Sequence, residues 1–235
     1  MKRLLIGIVV VFVVVTGVIL FYLASVWNPT LPAQLIGRVH ARAAAHGGYT
    51  PLRDIPVFLQ RAIIATEDRQ FYHNEGIDLE GIARAMVVDA IHLRAVQGAS
   101  TITEQLVKDM FLSDQKTLER KLRQIALALL ISHALSKNEI LSLYLNEVYL
   151  GQGAYGVGQA AHVYFDRNAD QLTPAQCALL AGLPQAPSAY DPLADLSLAK
   201  ARQKEVLDGM VSAGDLSASA AAAVYNAPLF LSPGP

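Results

Sequence analysis

From Leu4 to Trp27 the chain reads LLIGIVVVFVVVTGVILFYLASVW, without one charged residue. At about 1.5 Å per residue a helix of that length spans roughly 36 Å, enough to cross the hydrocarbon core of a bilayer. A backbone in hydrocarbon has to satisfy its own hydrogen bonds, so a lone segment of this kind is restricted to a helix. Tyr22 and Trp27 fall near its far end, where an interfacial aromatic belt is expected. Lys2 and Arg3 precede the run and no Lys or Arg follows until Arg38. The positive-inside bias therefore puts the N-terminus in the cytoplasm and the remainder outside. A cleaved signal peptide would have an apolar stretch of about 7–15 residues and a small-x-small cleavage site. The run here is longer and ends in Trp27-Asn28-Pro29, which favours an uncleaved signal anchor over residues 1–27.

The remaining chain has the length for one good-sized domain. The formal net charge of the whole chain is −1, which gives no electrostatic ground for a nucleic-acid partner. Cys177 is the sole cysteine, so no internal disulfide can form, and its apolar neighbours mark it as a buried small hydrophobe. Three prolines between Asn28 and Leu52 suggest a linker over 28–52. Asp54-Ile55-Pro56 is then read as a helix start, with Ile55, Phe58, Leu59, Ala62 and Ile63 at helical spacing and Glu67 near the C-terminal end. Leu79 to Leu93 and Thr117 to Leu135 are further amphipathic runs. Ser136-Lys137-Asn138-Glu139 and Thr173-Pro174-Ala175-Gln176 have the form of capping boxes. No alternating strand and no repeat is evident. The expectation is a mostly α domain over 53–215, followed by one short helix and a Pro-bounded tail over 216–235.

Several short segments carry chemistry-bearing side chains in a fixed order: Glu67-Asp68-Arg69-Gln70-Phe71, then Gly98-Ala99-Ser100-Thr101-Ile102-Thr103-Glu104-Gln105-Leu106-Val107-Lys108. Arg120-Lys121, Tyr144-Leu145-Asn146-Glu147-Val148-Tyr149 and Leu179 to Pro187 complete the set. In this order and spacing the set resembles the family 51 glycosyltransferases, the peptidoglycan glycosyltransferases that polymerise lipid-linked disaccharide. The match covers roughly residues 55 to 192. The resemblance implies a lysozyme-like helical fold and places Glu67 as the base that deprotonates the acceptor sugar's 4-hydroxyl. It implies that Asp68, Phe71, Ser100, Thr101, Gln105, Lys108, Lys116, Arg120, Lys121 and Asn146 serve substrate binding, the basic residues as a clamp on the leaving diphosphate. Without the resemblance, Glu67 would be a solvated carboxylate, the basic group a solvated helix face, and Ser100-Thr101 an N-cap. The implied partners are lipid II, the growing glycan, the membrane and other cell-wall synthesis or division proteins. The implied location is the bacterial inner membrane, with the catalytic domain on its outer face. No cofactor is required; a divalent cation, Mg2+ or Mn2+, at the diphosphate is the one candidate.

Four positions depart from the family pattern. Gln124 stands where the third motif, Arg-Lys-x-x-Glu, has its Glu, the second active-site carboxylate. Asn74 stands where His is usual, and Glu104 and Asp109 stand where Gln and Asn are common. If the missing carboxylate acts by charge, Gln124→Glu is expected to raise activity; if it acts by hydrogen bonding, little changes. Three function classes follow: an active glycosyltransferase, an impaired relative that binds lipid II or a synthase partner, and a glycan-cleaving lysozyme-like enzyme that would need no basic clamp. Ser113-x-x-Lys116 and Ser197-x-x-Lys200 match a transpeptidase nucleophile pattern at the level of chance, and the six His show no metal-ligand spacing.

Overall fold

The computed structural model describes residues 13, 16–18, 20–78, 81, 100–113, 115 and 117–232. Most of the apolar run, the amphipathic stretch from Leu79 to Leu93, and Lys116 lie outside the described residues. Among the described residues no helix is long and apolar enough to cross a membrane; those at 20–26 are helical. Regular structure among the described residues is helical, with one isolated antiparallel bridge between Tyr149 and Tyr155.

The first helix, α1 (Leu31–Ala45), occupies the stretch expected to be a linker. Proline density misled there, because Pro29 precedes the helix and Pro32 sits in its first turn, where no backbone N–H is needed. Leu31, Leu35, Val39 and Ala43 repeat every four residues and form its buried face. α2 (Val57–Glu67) begins two residues later than expected. Asp54 belongs to a separate 3-10 turn, Leu52–Asp54, and Pro56 is the N-cap without a side-chain cap. α3 (Ile102–Phe111), α5 (Lys137–Glu147) and α7 (Pro174–Ala181) each start at a reciprocal capping box: Thr101 with Glu104, Ser136 with Glu139, and Thr173 with Gln176. α4 (Leu118–Ala134) is capped by Thr117, α8 (Leu196–Ala213) by Asp195, and α9 (Ala218–Asn226) by Ser217. α6 (Val157–Phe165) opens at Gly156, whose φ of +79° suits glycine alone. A Cβ there would also lie 2.7 Å from the Asn146 carbonyl oxygen.

The helices fall into two groups. α2, α7 and α8 pack on one another, with α9 against α8; α3 packs on α4 and α5, with α1 against α5. A continuous core joins them through Leu59, Ile63, Phe71, Ile102, Leu106, Ile131, Leu141 and Tyr144, all essentially without solvent exposure. Cys177 is buried in α7, and burial pushes its thiol up to about 12. The functional cleft opens between the two groups.

Candidate active site

α2 delivers Glu67 as its last residue, and Asp68 leaves helical geometry at φ −157°. The chain turns here because the Asp68 carboxylate is claimed by the other helix group. One oxygen accepts the Ile102 N–H at the start of α3 (3.1 Å), the other accepts from the Asn74 amide (2.9 Å). Burial pushes the Asp68 carboxyl up to about 6, against the pull of those two donors and of Lys137. Asp68 thus fastens the end of α2 to the start of α3 across the base of the cleft.

Glu67 is half-buried. Its Oε2 accepts a hydrogen bond from Gln105 Nε2 on α3 (2.8 Å). The Gln105 carbonyl oxygen in turn faces the buried hydroxyl of Tyr144 on α5 (3.3 Å). The Glu67 carboxylate, which when ionised only accepts, decides which way the amide points: NH2 to Glu67, carbonyl to the Tyr144 hydroxyl. Desolvation holds the Glu67 carboxyl above its ordinary range, opposed by the Gln105 hydrogen bond and by the Arg202 charge.

A cleft of about 320 Å³ contains Glu67, Ser100, Gln105, Lys108, Gln124 and Arg202. A larger hollow of about 570 Å³ near His46 and His162 shares none of these residues. Arg202 was not foreseen from the sequence, where it is an ordinary charge on an amphipathic helix. It reaches the cleft because Gly182, at the end of α7, leaves room for its stem: a Cβ at 182 would lie 2.7 Å from Arg202 Cγ. Arg202 Nε donates to the Gly182 carbonyl (3.2 Å) and Nη1 to Glu205 (2.7 Å), so the guanidinium is aimed by two contacts.

The expected clamp divides. Lys108 lines the cleft while paired with Asp109 (2.9 Å). Lys121 donates to the buried Glu104 carboxylate (2.7 Å) and to Ser100 Oγ (3.1 Å). Arg120 lines a neighbouring hollow of about 310 Å³ with Phe111, Ser113 and Thr117. Its Nη1 approaches Gln124 Oε1 at 3.5 Å, and its buried Nε has no hydrogen-bond partner.

Four of the side chains expected to bind substrate are engaged within the protein. Asp68 is spent on Ile102 and Asn74, as above. Phe71 is a fully buried core ring with the Lys137 ammonium 4.9 Å from its centroid. Thr101 is 1% exposed, caps α3 and donates to the Gly76 carbonyl (2.7 Å). Asn146 is buried and pairs with both backbone groups of Thr50 and with the Ser142 carbonyl. Short polar side chains that look like ligands in the sequence are here the partners of backbone groups that burial would otherwise orphan.

A divalent cation at a diphosphate takes most of its oxygen ligands from phosphate and water and one or two from protein carboxylates, and Glu67 is the carboxylate in the described lining. Both Glu104 oxygens are engaged, position 124 is an amide, and among the described residues no cluster of three His, Cys, Asp or Glu could hold a metal.

The sequence model of the transglycosylase family matches residues 33–211. Penicillin-binding protein 1A of Neisseria gonorrhoeae is 47% identical over 163 residues, covering 69% of this chain and 20% of that protein. Penicillin-binding protein 1A of Escherichia coli K12 is 50% identical over 163 residues, covering 69% of this chain and 19% of its own length. The crystal structure of penicillin-binding protein 1A from Haemophilus influenzae aligns with 80% of this chain and 19% of its own, at 25% identity and a TM-score of 0.47. The chain thus spans about a fifth of the length of these relatives. With the family pattern matched over most of its length, the chain belongs to the transglycosylases, the family 51 glycosyltransferases.

Proposed function

We propose that the protein is a membrane-anchored peptidoglycan glycosyltransferase that polymerises lipid II into β-1,4-linked glycan and releases undecaprenyl diphosphate. The observation that carries this is the pairing of a desolvated, amide-held Glu67 with Lys108 and Arg202 in one cleft. A base must stand ionised but poorly solvated beside the hydroxyl it deprotonates, and a diphosphate leaving group needs fixed positive charge. In the proposed step the acceptor 4-hydroxyl gives its proton to the Glu67 carboxylate and its oxygen bonds to the anomeric carbon. The anomeric bond to the diphosphate breaks as that bond forms, with inversion, and the diphosphate departs with the electron pair. Lys108, Arg120 and Arg202 are the candidate counter-charges for it, and Ser100 and Gln105 line the same space. The apolar run supplies the anchor in the bacterial inner membrane, with the cleft on the outer face. Exposed Leu20, Phe21 and Trp27 at its described end accord with lipid contact.

Incubation of the purified full chain with labelled lipid II tests the proposal: a ladder of polymer on a gel is expected. Lipid II binding without polymer would replace it by a binding protein, the reading that neutral Gln124 favours. Release of fragments from preformed glycan would replace it by a hydrolase.

The pH profile offers a second check. The base works only ionised, so the rate should rise with pH through the Glu67 pKa, which lies above the usual carboxylate value. Arg202→Gln removes a charge that lowers that pKa. The rising limb is therefore expected to move to higher pH, with turnover at neutral pH down about 10–100-fold once the diphosphate contact is also lost. A profile that does not move would detach Arg202 from Glu67.

A further inference from the structure

Glu104 is wholly buried on α3, with its two oxygens in different service. Oε2 accepts the Thr101 backbone N–H and closes the capping box (3.0 Å); Oε1 accepts from Lys121 Nζ on α4 (2.7 Å). The same ammonium donates to Ser100 Oγ (3.1 Å), and Ser100 lines the Glu67 cleft. Gln124, one turn beyond Lys121, is also buried, and its Nε2 donates to the main-chain carbonyl of Glu104 (3.0 Å). The Gln124 side chain thus reaches the main chain of residue 104, and the Glu104 carboxylate reaches Lys121, both at the contact of α3 with α4.

We infer that Glu104 is a positioning residue for the transfer reaction: its carboxylate holds Lys121 against Ser100 at the cleft wall, so that the second carboxylate of this site is carried by α3 at position 104 and not by α4 at position 124. The inference rests on the glycosyltransferase reading above. Two departures from the family pattern that look independent in the sequence become one exchange, an acid gained at 104 and an acid replaced by its amide at 124. Gln124 is then the side chain its surroundings require. An ionised carboxylate at position 124 could not donate to the Glu104 main-chain carbonyl, the contact that Gln124 Nε2 makes. In place of the rise or the small change set out above for Gln124→Glu, the single change should lower activity.

Glu104→Gln isolates the charge, because Gln at this position of a capping box still accepts from the N-cap backbone. The melting temperature should stay at the wild-type value, lipid II turnover should fall about tenfold or more, and Lys121 should react several-fold faster with an amine-specific reagent, read by peptide mass spectrometry. Lys121→Met should lose as much turnover as Glu104→Gln, and the pair together little more, since both remove one interaction. Glu104→Gln with Gln124→Glu puts a carboxylate one turn from Lys121 and should recover most of the lost rate. Wild-type turnover by Glu104→Gln, or unchanged Lys121 reactivity, overturns the inference. Absence of polymer from wild type overturns the glycosyltransferase reading instead, and the labelling ratio alone then decides whether Glu104 holds Lys121.

Discussion

Glu67→Gln should produce a folded protein whose polymerisation of lipid II is lower by about 10²–10⁴-fold, the usual contribution of a positioned base. The substitution keeps the shape and leaves a carbonyl oxygen able to accept from Gln105 Nε2. It removes the lone function that an amide cannot supply, acceptance of a proton. Stability should not fall. Burial raises the folded-state pKa of Glu67, so its ionised form is penalised on folding. A raised carboxyl contributes stability below its unfolded pKa of about 4.5 and loses it as pH rises through the folded value. At pH 7 the amide avoids that penalty, and the melting temperature should equal or exceed that of wild type. Measured side by side, a large loss of rate with an equal or higher melting temperature assigns Glu67 to chemistry. Near-wild-type turnover would remove it from the mechanism.

The second large effect is on the fold. Phe71→Ala should cost about 3–5 kcal/mol, the range for deleting a fully buried aromatic ring. For a chain of this size that is roughly a 10 °C loss in melting temperature, checked by thermal or urea unfolding. The ring also lies beneath the Lys137 ammonium, which truncation would leave without its aromatic neighbour. A Phe71 that gripped substrate would behave in the opposite way, with rate lost and melting temperature retained.

Phe71 also shows where sequence reading ends. Its place beside Glu67 marked it as part of a motif, but a motif does not separate residues that touch substrate from residues that hold those that do. Asp68, Thr101 and Asn146 share this ambiguity, since caps, turns and ligand sites draw on the same short polar side chains. What was legible had local causes. The capping boxes at Ser136 and Thr173 start helices where their spacing says, and the apolar run from Leu118 to Leu129 marks α4 as a helix, although its buried face is Gln124, Ala126, Leu127, Ala128 and Ile131 and Leu118 is exposed. α1 was hidden by prolines that flank or open the helix without interrupting it. Arg202 was hidden for a different reason. Its role comes from a long-range packing event, the passage of its stem over Gly182, and no local pattern encodes that. The pairing of Glu104 with Lys121 is likewise invisible until α3 and α4 are laid together.

Cys177 gives this chain a reporter of its own opening. A thiol titrating at about 12 and sealed inside α7 is almost wholly protonated at neutral pH and closed to reagents, whereas an unfolded one regains its ordinary reactivity. α7 packs on both α2 and α8, the helices that carry Glu67 and Arg202. Modification of this one sulfur by a maleimide should therefore clock the separation of α2 from α8, and so of Glu67 from Arg202, without any introduced label. A substrate that braces α2 against α8 should slow that clock in proportion to its occupancy.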